Sequence, residues 1–382
     1  MRRTERSRGA ATSREGSFEG PGRGAIDVRH WTVRLAAFLL AMVCAGCSAG
    51  GTPSDGDGDG DGTGTGARDG AGGARSAVPF APYVNAMTAA ATDTAGSPSA
   101  YHVAFAVASG RDECTPVWDD GTAIDDPSAT RRVAALKKSG ADIRVSFGGA
   151  TGTELAEACD STSELAAAYG RVLKQTGASS ADFDIEGDTL EDSAALTRRA
   201  KAITSLQSRR AGPEVSFTLP VMPTGLTPQS EELLRRAARL DVRISAVNVM
   251  AMSYSPSHTG DMGDYAIAAA RASHRQMTDL LGLSDAAAWR ALRVTVMIGV
   301  NDIEHETFTL DDAAQLAAFA AKRNLGGLSM WSAARDRQCA GGPKPEVDEA
   351  CSGVTQDEGA FAAALSGTKQ LSGTKQGDAP AR

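Results

Sequence analysis

Residues 182 to 186 read Asp182-Phe183-Asp184-Ile185-Glu186, three acids at alternate positions with two large apolar residues between them. Side chains along a strand point alternately to its two faces, so the acids share one face while Phe183 and Ile185 share the other. Three stacked carboxylates repel one another, and burial adds a desolvation cost that folding alone does not recover. A site that must keep one carboxyl protonated while its neighbour stays charged does gain from the arrangement. Glu186 is therefore the candidate general acid. The same spacing also fits a solvated strand edge or a cation site with oxygen ligands, so the surrounding chain has to decide.

From about residue 98, β-branched runs alternate with amphipathic, alanine-rich segments. Strands are expected over 101–107, 114–118, 142–147, 182–186, 215–219, 244–252, 294–300 and 327–331. Helices are expected over 129–138, 197–209 and 265–281, and from Ser161, Pro228 and Asp311 onward. Ser161 with Glu164 three places on is a capping-box pattern. Eight strands alternating with helices in a chain of 382 residues predict the α/β class, as one parallel (β/α)8 TIM barrel. A doubly wound open sheet is the alternative, but no G-x-G-x-x-G follows any strand. Barrels of this kind gather their chemistry at the C-terminal ends of the strands. Those ends read Ser146-Phe147-Gly148-Gly149, the acidic run itself, Met250-Ala251-Met252-Ser253-Tyr254, and Trp331-Ser332.

A net charge of −8, with no Lys/Arg stripe beyond the N-terminus, excludes a nucleic-acid footprint. Arg34, the apolar run 35–43 and Ala45-Gly46-Cys47 have the form of an export leader over residues 1–47, too short to span a membrane. Cys44-Ala45-Gly46-Cys47 resembles a bacterial lipobox, which predicts a lipid on Cys47 as the membrane contact; plain secretion is the alternative. Residues 48–97 are expected to be a Gly/Asp-rich linker. Its alternating run from Asp55 has Gly66 where an EF-hand needs its twelfth-position glutamate, so a self-repelling tether is the better reading. The barrel is expected over 98–366, with a disordered tail of duplicated sequence over 367–382. Cys114, Cys159, Cys339 and Cys351 make an even set in an exported chain, so two disulfides are expected. Of the three connectivities, nearest-neighbour pairing is expected, Cys114 with Cys159 and Cys339 with Cys351. His102, His258, His274 and His305 lack ligand spacing, so no metal and no other cofactor is expected. The chain is read as an extracellular monomer, secreted or lipid-anchored to the outer face of a bacterial cytoplasmic membrane.

Taken together, two of these strand ends resemble the motifs of glycoside hydrolase family 18, the chitinase-type barrels. Ser146-Phe147-Gly148-Gly149 is similar to the family's S-x-G-G on the third strand, and 182–186 to the latter part of its D-G-x-D-x-D-x-E on the fourth. The similarity runs from about 98 to 364. It implies retaining, substrate-assisted hydrolysis of β-1,4-linked N-acetylglucosamine in chitin or chitooligosaccharides. Glu186 would protonate the glycosidic oxygen, the 2-acetamido oxygen would attack, and Asp184 would hold the resulting oxazolinium. Asp182 would lie deeper and bias the proton sharing. Trp331 would floor the sugar site, with Met250, Met252, Ser253 and Tyr254 lining it. Ser146, Gly148 and Gly149 are expected to serve close strand approach. Two departures from the family pattern stand out. Ser179-Ser180 occupy the Asp-Gly places, and on the sixth strand Met252 and Ser253 occupy the tyrosine and aspartate places of M-x-Y-D. Ser253 can bond but cannot supply charge, which predicts a weaker enzyme. Two other functions fit the same barrel: a chitooligosaccharide-binding protein without turnover, and an endo-β-N-acetylglucosaminidase acting on N-glycans. The Gly/Asp-rich tract over 48–77 and the tail lack aromatics for a separate chitin-binding module, which favours soluble or accessible chitin.

Overall fold

Short apolar runs separated by capped helices fold into eight barrel strands. They are β1 (Tyr83–Asn85), β2 (Ala100–Gly110), β3 (Asp142–Gly148), β4 (Ser180–Asp184), β5 (Glu214–Met222), β6 (Ala246–Met250), β7 (Leu292–Met297) and β8 (Gly327–Trp331). The computed structural model describes residues 78–119, 121–209 and 212–368. Each strand pairs in parallel with the next in chain order, with no reversal. The run into β1 returns to β8: Phe80 bridges Leu328, and the Ala81 N–H donates to the Leu328 carbonyl at 2.9 Å. The sheet is a (β/α)8 barrel, and the open-sheet alternative is excluded.

The helices begin where their caps dictate. Asp126 and Thr227 cap Pro127–Lys137 and Pro228–Arg239, each with proline in the first turn. Ser161 caps Thr162–Thr176, its Oγ accepting from the Glu164 N–H at 3.2 Å. The Ser161 hydroxyl in turn donates to the Glu164 carboxylate at 2.9 Å, in place of the backbone N–H of a full capping box. Between strands and helices, Phe147, Phe183 and Phe217 from three adjacent strands pack with Tyr169, ring centroids 4.9–5.8 Å apart. Each such ring contributes roughly 1.5–3 kcal/mol of burial.

The barrel begins earlier than the sequence suggests. β1 and a 3-10 turn at Ala91–Thr94 occupy part of the segment read as linker, and Asp93 pairs with Arg132 at 2.8 Å. The strand expected first, 101–107, is thus the second. Glu113–Trp118, expected as a barrel strand, instead folds back antiparallel on β2 as a hairpin arm. Both disulfides have the nearest-neighbour pairing, Cys114–Cys159 and Cys339–Cys351. Residues 1–47 with Cys47, the linker to residue 77 and the repeat beyond residue 368 lie outside the described residues.

Candidate active site

The alternation in the acidic run holds. Phe183 and Ile185 are 1% and 0% exposed against the helices. Asp182 and Asp184 point inward from β4, and Glu186, still extended at φ −145° and ψ 172°, continues their column. The glycines of β3 make room for this column. Gly148 has φ +99°, and a Cβ there would run into the Asp184 carbonyl oxygen. The Gly149 N–H donates to that same oxygen at 2.9 Å.

Asp182 is fully buried and receives hydrogen bonds from all sides. Ser146 donates at 2.8 Å, Ser216 at 2.6 Å, Thr218 at 2.9 Å and Tyr83 at 3.3 Å. A longer chain feeds the same acceptor. Thr295 Oγ1 donates to Asn248 Oδ1 at 2.9 Å, and Asn248 Nδ2 donates to Thr218 Oγ1 at 2.9 Å. Every proton in the chain points toward Asp182, which fits a carboxylate and not an acid. Burial would push its pKa up, but His102 and the hydroxyl donors outweigh it and hold the group far below the usual carboxylate range.

Asp184 behaves in the opposite way. Burial, then the charges of Glu186 and Asp182, push it well above the ordinary range. Glu186 is also raised, by burial and by Asp302, with a hydrogen bond from Asp184 opposing the rise. The pair therefore retains a proton at pH values where a solvated carboxyl has lost it. Beneath it sits a fixed negative charge.

Asp184 and Glu186 open into a cleft of about 540 Å³, within the range of small-ligand sites. Met250, Met252, Ser253 and Trp331 line it, as expected from the strand ends. Ser253 does so with φ +51°. The Trp331 ring stacks against Phe105, centroids 5.6 Å apart and planes 21° apart. Tyr254 does not line the cleft. It is 7% exposed and packs against His258 and Tyr265, because Glu306 anchors the backbone N–H groups of Tyr254 and Ser255 at 2.8 and 3.1 Å and turns the chain away. Asp182 and Ser146 lie below the lining. Among the described residues, no group of three or more His, Cys, Asp or Glu side chains is placed to hold a metal ion.

Sequence reading missed Tyr83, Phe105, Thr218, Met297 and Asp302, all of which line the cleft. Met297 and Thr218 sit on inward positions of β7 and β5, so period-two reading of those strands was a usable signal. Tyr83 was hidden in a three-residue strand.

No family model matches the chain. It is 32% identical over 275 residues to a probable bifunctional chitinase/lysozyme of Escherichia coli (strain K12), covering 67% of this chain and 31% of that protein. It is 35% identical over 218 residues to Endochitinase 11 of Metarhizium anisopliae, covering 54% of this chain and 42% of that one. The chain thus spans less than half the length of these curated relatives. Among solved structures, the catalytic domain of a hyperthermophilic chitinase from Pyrococcus furiosus superposes with a TM-score of 0.67 at 28% identity, over 76% of this chain and 96% of that domain. A family 18 chitinase from Flavobacterium johnsoniae shares the fold at 13% identity and a TM-score of 0.51, over 76% of this chain and 94% of that one. With both motifs seated at the mouth of a closed barrel and relatives of this kind, the chain belongs to the chitinase-type proteins of glycoside hydrolase family 18.

Proposed function

We propose that the protein hydrolyses β-1,4-linked N-acetylglucosamine chains, chitin or chitooligosaccharides, with retention at the anomeric carbon and with the substrate's acetamide as nucleophile. One observation carries this reading: Asp184 and Glu186 line the cleft directly above Asp182, which is buried and accepts from Ser146, Ser216 and Thr218, while burial and mutual repulsion favour the acid form of the upper pair. Glu186, the outermost and the least buried of the three, donates its proton to the glycosidic oxygen. In the two-carboxylate retaining scheme the second carboxylate attacks the sugar. Asp184 is unsuited to that, since a buried carboxyl pushed toward its acid form is a poor nucleophile. With the pair's proton on Glu186, Asp184 is suited to accept from the acetamide N–H and to offset the oxazolinium's positive charge; Glu186, left as a carboxylate once its proton is on the leaving oxygen, then takes a proton from the water that attacks the anomeric carbon. Trp331 and Phe105 offer flat apolar surface to the sugar's C–H faces, with Met222, Met250, Met252 and Met297 around them. A related solved structure, of the Pyrococcus domain, is of a complex with chito-oligosaccharides. The two disulfides favour an oxidising compartment outside the cytoplasm.

Incubation with chitotetraose and chitohexaose, followed by mass spectrometry, tests the activity. Shorter oligomers are expected from the native chain. Glu186→Gln should lower their rate by about 10³-fold or more while circular dichroism stays unchanged. Oligomers bound but left intact by the native chain would favour the sugar-binding alternative.

A further inference from the structure

Behind the acids, on the side away from the cleft, sits a pair that the reaction as described does not use. His102 lies on β2, in register with Tyr83 of β1 and Arg144 of β3, and is 1% exposed. Arg144 Nη1 is 2.8 Å from His102 Nε2. A guanidinium has donors only, so Nε2 accepts and the imidazole proton resides on Nδ1. Nδ1 faces Asp182 Oδ2 at 3.5 Å and has no formed hydrogen bond among the described residues. The Tyr83 ring stacks on the imidazole, centroids 4.5 Å apart and planes 20° apart, which fixes the plane of the ring.

We propose that Arg144 and His102 form a positioning relay for Asp182, aiming an N–H at its inner oxygen and keeping that carboxylate charged, so that the reaction's proton stays on the Asp184–Glu186 pair. This rests on the hydrolytic reading of the cleft. The groups facing His102 are Tyr83 from β1, Arg144 from β3, Asp182 from β4 and Arg293 from β7. Arg144 is itself faced by Asp182, Tyr83, Glu214 and Asp142. Burial, then the Arg144 charge, lower the His102 pKa to about 4, so the ring is neutral across the working range and keeps one tautomer. Arg144 and Arg293 reach a cavity of about 210 Å³ at the starts of β2, β3, β7 and β8. The relay thus runs from the N-terminal end of the barrel to the floor of the site.

Without the relay, Asp182 competes for the shared proton as the pH falls. Activity on chitohexaose by the full chain is therefore measured against pH for His102→Phe, Arg144→Met and His102→Asn. The asparagine keeps a donor near the Nδ1 position; the other two remove the donor or its anchor. For folded His102→Phe and Arg144→Met, kcat should fall about tenfold or more with KM changed by less than about twofold, and the acid limb should move to higher pH. His102→Asn should recover most of the loss. Native kcat and an unmoved acid limb in either folded variant would overturn the relay. A second measurement needs neither turnover nor a variant fold. Nitrogen-15 NMR of the histidine-labelled native chain should show His102 protonated on Nδ1 alone from about pH 5.5 to 8. A proton on Nε2 there would refute the relay, whereas failure of the native chain to cleave would refute only the hydrolytic reading.

Discussion

Asp182 and Asp184 are two residues apart on one strand, yet their surroundings drive them to opposite charge states. Their effects on stability differ in sign accordingly. The folded pKa of Asp184 lies above its unfolded value of roughly 3.9, so its contribution is fully present below that pH and is lost as the pH rises. Asp184→Asn should therefore stabilise the fold by ~1–2 kcal/mol at pH 8 and by little at pH 4, read from urea midpoints at the two values. An equal gain at both would contradict the burial argument. Asp182 runs the other way: its depressed pKa contributes stability above pH ~4 that is lost only as the pH falls below it. Asp302 bears on the alkaline edge of the expected activity profile. Its charge helps raise Glu186, so Asp302→Asn should lower the Glu186 pKa and move the alkaline limb of kcat to lower pH. The limb should stay in place if Asp302 exerts no field on the acid. The shared inward face of these acids was legible in the spacing of residues 182–186. Asp302 was not, because it sits in the turn between two two-residue strands, Gly299–Val300 and Thr307–Phe308, too short for any period to mark which way a side chain points.

At the scale of the element, β3 and β4 act as one unit. Gly148 lets the backbones close up so that Gly149 can hold the Asp184 carbonyl. Gly148→Ala adds both a collision with that carbonyl and a side chain at φ +99°, which together should cost ~2–4 kcal/mol. A calorimetric melting temperature within a degree or so of the native chain's would show that the approach can relax. The S-x-G-G motif exposed this contact to sequence reading, since two glycines after a β-branched run signal close backbone approach. The hairpin arm at Glu113–Trp118 carried the same β-branched signal as a barrel strand and was misplaced among them. Pairing direction depends on loop geometry at Arg111 and Asp112, which composition does not encode. The loop after β6 was misread for a related reason. Tyr254 is turned away from the cleft by Glu306, a residue 52 positions further along the chain.

Across the whole molecule, the barrel interior is a polar conduit in place of packed aliphatic layers: His102, Arg144, Ser146, Asp182, Ser216, Thr218, Asn248 and Thr295 all come from inward strand positions. The alternation of strands with helices made the barrel readable, but its closure was not. β1 is three residues long, preceded by Pro82, and too short for any periodic signal. A chain shortened to begin at Val78 should keep its fold and activity, since every described barrel element lies beyond that point. One begun at Pro98 loses β1 and Tyr83 and should fail to fold. A cooperative melt in the shorter chain would show that β1 is dispensable to the barrel. In the proposed reaction the substrate's acetamide, and not an enzyme carboxylate or a water, first attacks the anomeric carbon. Proton NMR of the product formed in the first minutes from chitohexaose, run beside the same substrate with its acetamides removed, tests this most directly. β-Anomer is expected as the first product, with no cleavage of the deacetylated chain. Release of α-anomer, or cleavage of the deacetylated chain at a similar rate, would contradict it.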